Sequence, residues 1–269
     1  MGYVHLEVET RNGVGWLWLA RPEKHNALCA DMWEEIPDAV AELSAAGDVR
    51  VIVVAGRGPS FTVGIDLDML MSLQPQGRSQ TEAKMAVYQE IKRLQGTMTS
   101  FADSAKPVVA AVHGYCLGAG IDLITACDIR LASADAVFSV RETKLALVAD
   151  VGTLQRLPHI VGAGPAAELA FTGGDIDAAR AEQMGLVNAL HPDPDALEVA
   201  AQELGEAIAA NSPLAVQGAK AVLKAGSEMS TAQALDHVAL WNAAFLHSND
   251  LAEAMAAFTE KRPPRFTGT

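Results

Sequence analysis

A chain of 269 residues, half of them hydrophobic and only 5% aromatic, has room for one large domain with an ample core. Its net charge of −13 sets it against phosphate backbones and anionic membranes, so neither nucleic acid nor a membrane surface is an expected partner. An anionic small molecule is not excluded, because a few local basic groups can serve one.

The chain opens in strand fashion: Val4, Leu6 and Val8 alternate, Asn12-Gly13 is a hairpin turn, and Val14 to Leu19 returns as a second strand. Arg21 to Leu28 is a polar loop, and Asp31 is placed to cap a helix that runs to about Ala46. The β-branched run from Val49 to Ala55 reads as a buried parallel strand. A glycine-bearing loop, Gly56 to Gly64, leads into a helical stretch over Asp66–Leu73. Gln74–Ser79 is polar and expected to be mobile, and a long helix follows over about Thr81–Phe101.

The pattern then repeats in shorter form. A strand at Val108–Val112, a small-residue turn at Gly114–Gly120, a helix at Ile121–Cys127 and a strand at Ile129–Ala132 follow in succession. This is α/β logic, although the alternation is too irregular for a doubly wound sheet. After Val187–Leu190 the sequence reads as helix over 194–210, 213–226, 231–247 and 250–260. An organisational boundary near Asn211 divides a core, residues 1–210, from a helical region, 211–269. Helices this apolar need a surface, which an oligomer interface or a lid over the core would supply.

Cys29, Cys116 and Cys127 match no metal-ligand spacing and cannot form a complete disulfide set, which points to a reducing compartment and no metal. The N-terminus lacks a cationic-then-apolar signal, no apolar run reaches membrane-spanning length, and Arg-Phe-Thr-Gly-Thr at the C-terminus carries no peroxisomal signal. A soluble cytoplasmic protein is the resulting expectation.

Familiar nucleotide and hydrolase motifs are missing. Gly162-Ala-Gly-Pro-Ala-Ala does not follow a strand opening a βαβ unit, and Pro165 suits the first turn of a helix better. His113 and His159 read as core or surface histidines. Two glycine turns say more: Phe61-Thr-Val-Gly-Ile-Asp-Leu and Gly114-Tyr-Cys-Leu-Gly-Ala-Gly-Ile-Asp122 each follow a buried strand and lead into a helix. At such junctions free backbone N–H groups point outward, so one from each turn could bind a carbonyl oxygen turning into an enolate. Tight turns alone would explain the same spacing. Three acidic residues, Asp122, Glu142 and Asp150, stand in or beside apolar, small-residue stretches, where burial raises a carboxyl pKa and makes a proton carrier.

Asn26-Ala-Leu after Arg21-Pro22, the two glycine turns, Ala126-Cys-Asp-Ile-Arg130, Gly152-Thr-Leu-Gln-Arg-Leu-Pro158 and Phe258-Thr-Glu-Lys-Arg-Pro-Pro-Arg-Phe266 together resemble the enoyl-CoA hydratase/isomerase (crotonase) superfamily over nearly the whole chain. The resemblance implies a crotonase (ClpP-like) spiral of ββα units whose C-terminal helices build homotrimers, commonly paired into homohexamers. It also implies an acyl-CoA substrate, coenzyme A as part of that substrate, and no separate cofactor or metal. The oxyanion donors would be the backbone N–H groups of Ile65 and Ala119. CoA would lie near Lys24, His25, Ala27, Val63 and Asp66, with Phe258 and Lys261 closing the adenine site from a neighbouring subunit. Lys24 and Lys261 read equally well as surface lysines. Met69, Leu70, Met71 and Leu73 would line the acyl pocket, or simply pack as a helix face.

The acidic trio chooses among the superfamily's reactions. Hydratases hold water between two glutamates, which correspond to Asp122 and Glu142, and they usually have glycine where this chain has Asp150. An Asp, a Glu and an Asp at these three places resemble the Δ(3,5)-Δ(2,4)-dienoyl-CoA isomerases of fatty-acid β-oxidation. Moving that diene takes a proton from C2 and returns one at C6, too far apart for one carboxylate. Glu142 is the expected base at C2 and Asp150 the acid at C6, with the two roles exchangeable on sequence grounds and Asp122 holding the pair. Asp150 as a helix N-cap before Gly152 is the bland reading. An enoyl-CoA hydratase is the alternative function, and a crotonase-fold RNA-binding protein a remote one that the charge disfavours.

Overall fold

The computed structural model describes residues 2–72, 79–227 and 229–269. The first hairpin pairs β1 (Leu6–Arg11) with β2 (Val14–Leu19) antiparallel across Asn12-Gly13, both with positive φ, as a two-residue turn of matching twist requires. Helix α1 (Ala30–Ala45) then leads to β3 (Val51–Gly56), parallel to β2. The helix begins at Cys29, whose side chain makes no capping bond; Asp31 lies inside the first turn, where its charge favours the helix dipole without capping it.

From β3 onward the chain climbs in repeated units of strand, short strand and helix. Thr62 forms a lone parallel bridge to Cys116, followed by α2 (Leu67–Ser72) and α3 (Gln80–Asp103), which Ser79 caps. The expected mobile stretch, apart from Ser79, and Leu73 lie outside the described residues. Next come β4 (Val108–Val112), β5 (Tyr115–Leu117) and α4 (Ala119–Ala126). The small-residue turn expected over 114–120 therefore contains a strand and the start of a helix. The third unit is β6 (Ile129–Ser133), β7 (Val137–Ser139) and, after a 3-10 turn at Glu142–Leu145, α5 (Thr153–Val161).

One sheet runs β1-β2-β3-β4-β6 and ends on β9 (Ala189–His191); the other pairs β5, β7 and β8 (Ile176–Asp177). Between them in sequence lie α6 (Ala163–Thr172), with Pro165 in its first turn, and α7 (Ala178–Gln183). Alternation along each strand divides the core. Val14, Trp16, Trp18, Val51, Val53, Val109 and Ala111 face α8 (Pro194–Ala209), packing with its Leu197 and Ala201. Leu17, Leu19, Ile52, Val54, Val108 and Val112 face the opposite way, toward α1, α3 and α4. Each large apolar side chain buried in this way contributes roughly 1.5–3 kcal/mol. Helices α9 (Pro213–Gly226), α10 (Thr231–Phe245) and α11 (Asn249–Glu260) follow beyond Asn211.

Candidate active site

The loops that follow β2, β3 and β5 meet at one end of the spiral. Asn26, fully buried, ties the first loop to the second: its amide donates to the carbonyls of Arg57 and Ser60, and its own carbonyl accepts from the Thr62 hydroxyl at 2.6 Å. Leu28 donates to Gly64 O and accepts from Asp66 N, so Ile65 between them turns its own N–H away from that bridge. The third loop delivers Ala119 as the first residue of α4. Among the described residues, neither the Ile65 nor the Ala119 N–H is committed to an acceptor. Gly64 permits this approach: at φ +91°, a Cβ would stand 2.6 Å from Leu117 O and 3.2 Å from Ala119 N.

These loops wall a cavity of about 900 Å³ that all three carboxylates line. Asp122, in the first turn of α4, is fully buried, and its Oδ1 accepts the Thr153 N–H at 2.5 Å. It therefore caps the N-terminus of α5 from another helix, the role the bland reading gave to Asp150. Its Oδ2 is buried with no partner among the described residues. Burial lifts the Asp122 carboxyl to about 7 against the lowering effect of Thr153, and the charges of Glu142 and Asp150 add to the rise. Glu142 opens the 3-10 turn; its Oε1 lies 3.5 Å from the place a Gly118 Cβ would occupy, and its Oε2 is buried without a partner among the described residues. Burial first, and then Asp150, raise its carboxyl. Asp150 stands on an irregular stretch and opens to solvent in the cavity; partial desolvation by the surrounding wall raises it too.

The Asp122 shift makes stability depend on pH in a definite sense. An unfolded aspartate ionises near about 4, whereas the folded one keeps its proton to about 7. Below the first value both forms are protonated and the contribution is intact. From there through 7 the unfolded chain gains from ionising, so stability falls with rising pH, by roughly 4 kcal/mol at most. Asp122→Asn keeps an acceptor for Thr153 and removes the titration. Urea unfolding at pH 4.5 and pH 8 is expected to show a larger drop in the native chain than in the variant, whose remaining drop comes from the raised carboxyls of Glu142 and Asp150.

The other expected residues divide. Lys24, Ala27, Val63 and Asp66 line the cavity. The Asp66 carboxylate is committed to Arg21 Nη1 at 2.5 Å, which holds it below the usual range, and it also caps α2 through the Asp68 N–H. Only its backbone can serve an anionic ligand. His25 is exposed and off the wall, its Nδ1 3.1 Å from Ser60 Oγ and its ring edge-on to Tyr115. Phe258 and Lys261, at the end of α11, are exposed and also off the wall within this chain. On α2 the cavity is lined by Leu67 and Leu70, one turn apart, whereas Met69 packs into the core and Met71 faces outward. His113 and His159 do not line it.

The apolar wall consists largely of residues not anticipated from sequence. Val87, Ile91 and Leu94 of α3 lie at helical spacing, a stripe that could have been read; Leu145, Leu147 and Val148 follow Glu142 in a stretch with no periodicity. One group among the described residues could hold a metal ion: His5, Cys29 and Asp31, with ligand atoms within 4.8 Å of one another. None of them lines the cavity.

A family model described as enoyl-CoA hydratase/isomerase matches residues 9–269. The chain is 44% identical over 270 residues to the peroxisomal Δ(3,5)-Δ(2,4)-dienoyl-CoA isomerase of Arabidopsis thaliana, covering 98% of this chain and 97% of the relative. It is 42% identical to the mitochondrial Δ(3,5)-Δ(2,4)-dienoyl-CoA isomerase of Dictyostelium discoideum, covering 98% and 91%. Among solved structures, an enoyl-CoA hydratase from Bacillus anthracis superposes with a TM-score of 0.89 at 31% identity, covering 98% of this chain and all of that one. The cytoplasmic placement expected from the termini is overturned by these peroxisomal and mitochondrial relatives. That expectation rested on missing address motifs and free thiols, and free thiols do not tell one reducing compartment from another.

Proposed function

The chain belongs to the enoyl-CoA hydratase/isomerase family, with its crotonase spiral, and from that membership we propose that it is a Δ(3,5)-Δ(2,4)-dienoyl-CoA isomerase. The observation that carries the reading is a third carboxylate, Asp150, on the same cavity wall as Asp122 and Glu142, in a chain so similar to proteins of that name. The Ile65 and Ala119 N–H groups receive the thioester oxygen. Glu142 takes a proton from C2, and the electron pair spreads over the oxygen, C2, C4 and C6. Asp150 delivers a proton to C6, leaving double bonds at C2 and C4. One C–H bond breaks and one forms, so the step requires no oxidant or reductant.

The environment suits this assignment. Burial raises the carboxyls of both Glu142 and Asp150, which keeps a proton within the cavity for transfer to carbon, and Asp122 lies close enough to feel both partners' charges. Between turnovers the proton must pass from Glu142 back to Asp150, and we assign Asp122, whose carboxyl is raised to about 7, to hold it. Lys24 at the cavity mouth is the cation we assign to a CoA phosphate. The segment 211–269 we assign to oligomerisation, since Leu223, Leu240 and Phe258 leave large apolar surfaces uncovered on α9, α10 and α11. A trimer would bring Phe258 and Lys261 of one copy to the mouth of another.

The test offers purified protein a 3,5-dienoyl-CoA and a 2-enoyl-CoA in parallel. Growth of conjugated-diene absorbance on the first is expected. Turnover of the second alone would instead support a hydratase that uses Asp122 and Glu142 on water.

A further inference from the structure

Asp150 belongs to a stretch, 146–152, without helix or strand, yet its carboxyl must meet a carbon atom in a defined direction. Its backbone is held from α3. Gln95 Nε2 donates to the Asp150 carbonyl oxygen at 2.7 Å. The amide is turned that way by Lys92, whose Nζ donates to Gln95 Oε1 at 2.7 Å and leaves the NH2 end for Asp150. One turn further along the same edge of α3, Thr99 Oγ1 accepts from Arg156 Nη2 at 3.0 Å. The Arg156 guanidinium in turn lies against Gly152, where a Cβ would meet Nη1 at 1.9 Å. Asp150 is thus hydrogen-bonded to α3, and Gly152 is packed under the Arg156 guanidinium that the same helix holds. The same helix supplies Val87, Ile91 and Leu94 to the apolar wall.

We propose that Gln95 is the positioning residue for Asp150, fixing its carboxyl in register with the acyl wall that the same helix builds. The assignment rests on the isomerase reading. Proton delivery to carbon tolerates little error in direction, and a displacement of about 1 Å can cost roughly 100-fold in rate. Gln95 is only partly buried and its bond joins a side chain to a loop, so the fold does not depend on it.

Gln95→Met keeps the length of the side chain and removes the donor; Gln95→Glu keeps the shape and replaces the donor with an acceptor. For both, kcat for isomerisation is expected to fall about 10- to 100-fold, with KM within about 2-fold of the native value. The diagnostic readout is C2 hydrogen exchange with deuterated solvent, relative to isomerisation. That ratio should move in the same direction as in Asp150→Asn. A structural defect would lower exchange and isomerisation together, and an unchanged ratio overturns the proposal. If the native protein fails to isomerise the diene, the isomerase reading falls separately. Titration of the Asp150 carboxyl by 13C NMR then decides on Gln95, and a midpoint unaltered in Gln95→Met overturns the assignment.

Discussion

Asp150→Asn is expected to lower isomerisation of a 3,5-dienoyl-CoA by about 10²- to 10⁴-fold, the usual worth of a positioned proton donor. The substitution is isosteric and leaves the backbone carbonyl that Gln95 holds, so the segment keeps its place. What it removes is the proton destined for C6. Glu142 and the two backbone donors remain, so the C2 hydrogen should still exchange with solvent, and any hydration of a 2-enoyl-CoA should survive far better than isomerisation. The measurement is diene absorbance alongside loss of deuterium from C2. Equal loss of every activity would make Asp150 structural. Loss of C2 exchange together with isomerisation, but not of hydration, would exchange its role with that of Glu142.

Gly64→Ala acts on the other half of the site and should leave a different signature. At φ +91° any side chain is strained, and a Cβ would press on Leu117 O at 2.6 Å. Either the 62–66 loop or the start of α4 must retreat, and these two segments carry the Ile65 and Ala119 N–H groups. Loss of one donor of this kind raises a barrier by about 2.7–4 kcal/mol, roughly 10²–10³ in kcat. Because the enolate is common to both outcomes, C2 exchange and isomerisation should fall together, in contrast with Asp150→Asn. Rates at saturating substrate, with a thermal melt to confirm folding, check this. A variant whose kcat stays within about 3-fold of the native value would remove these N–H groups from the mechanism.

The two variants touch the parts of the molecule that sequence reveals best. Glycines at forced backbone positions and carboxyls among apolar neighbours are local signals, since the chemistry that makes them unusual lies within a few residues. The alternation of β1 and the continuous apolar runs of β3 and β4 were legible for the same reason, as were the four C-terminal helices. Contacts set by the tertiary fold were not legible. Asp122 reaches across to cap α5 at Thr153, and Gln95 holds Asp150 over 55 residues of sequence; no periodicity encodes either pairing. Asp31 looked like a cap because an apolar pair follows it, yet the turn of the chain at Cys29 starts the helix two residues earlier. His25 sits beside residues that do line the cavity, but the 3-10 turn at Pro22–Lys24 and its left-handed backbone swing it toward Ser60.

In the proposed mechanism, a third carboxylate converts a water-adding architecture into one that moves a proton along a diene. The measurement that tests it most directly is the ratio of kcat/KM for a 3,5-dienoyl-CoA to that for a 2-enoyl-CoA, taken on the native chain and on Asp150→Asn. The ratio should lie well above one in the native protein and collapse in the variant. A native ratio below one, left unchanged by the substitution, would contradict the account.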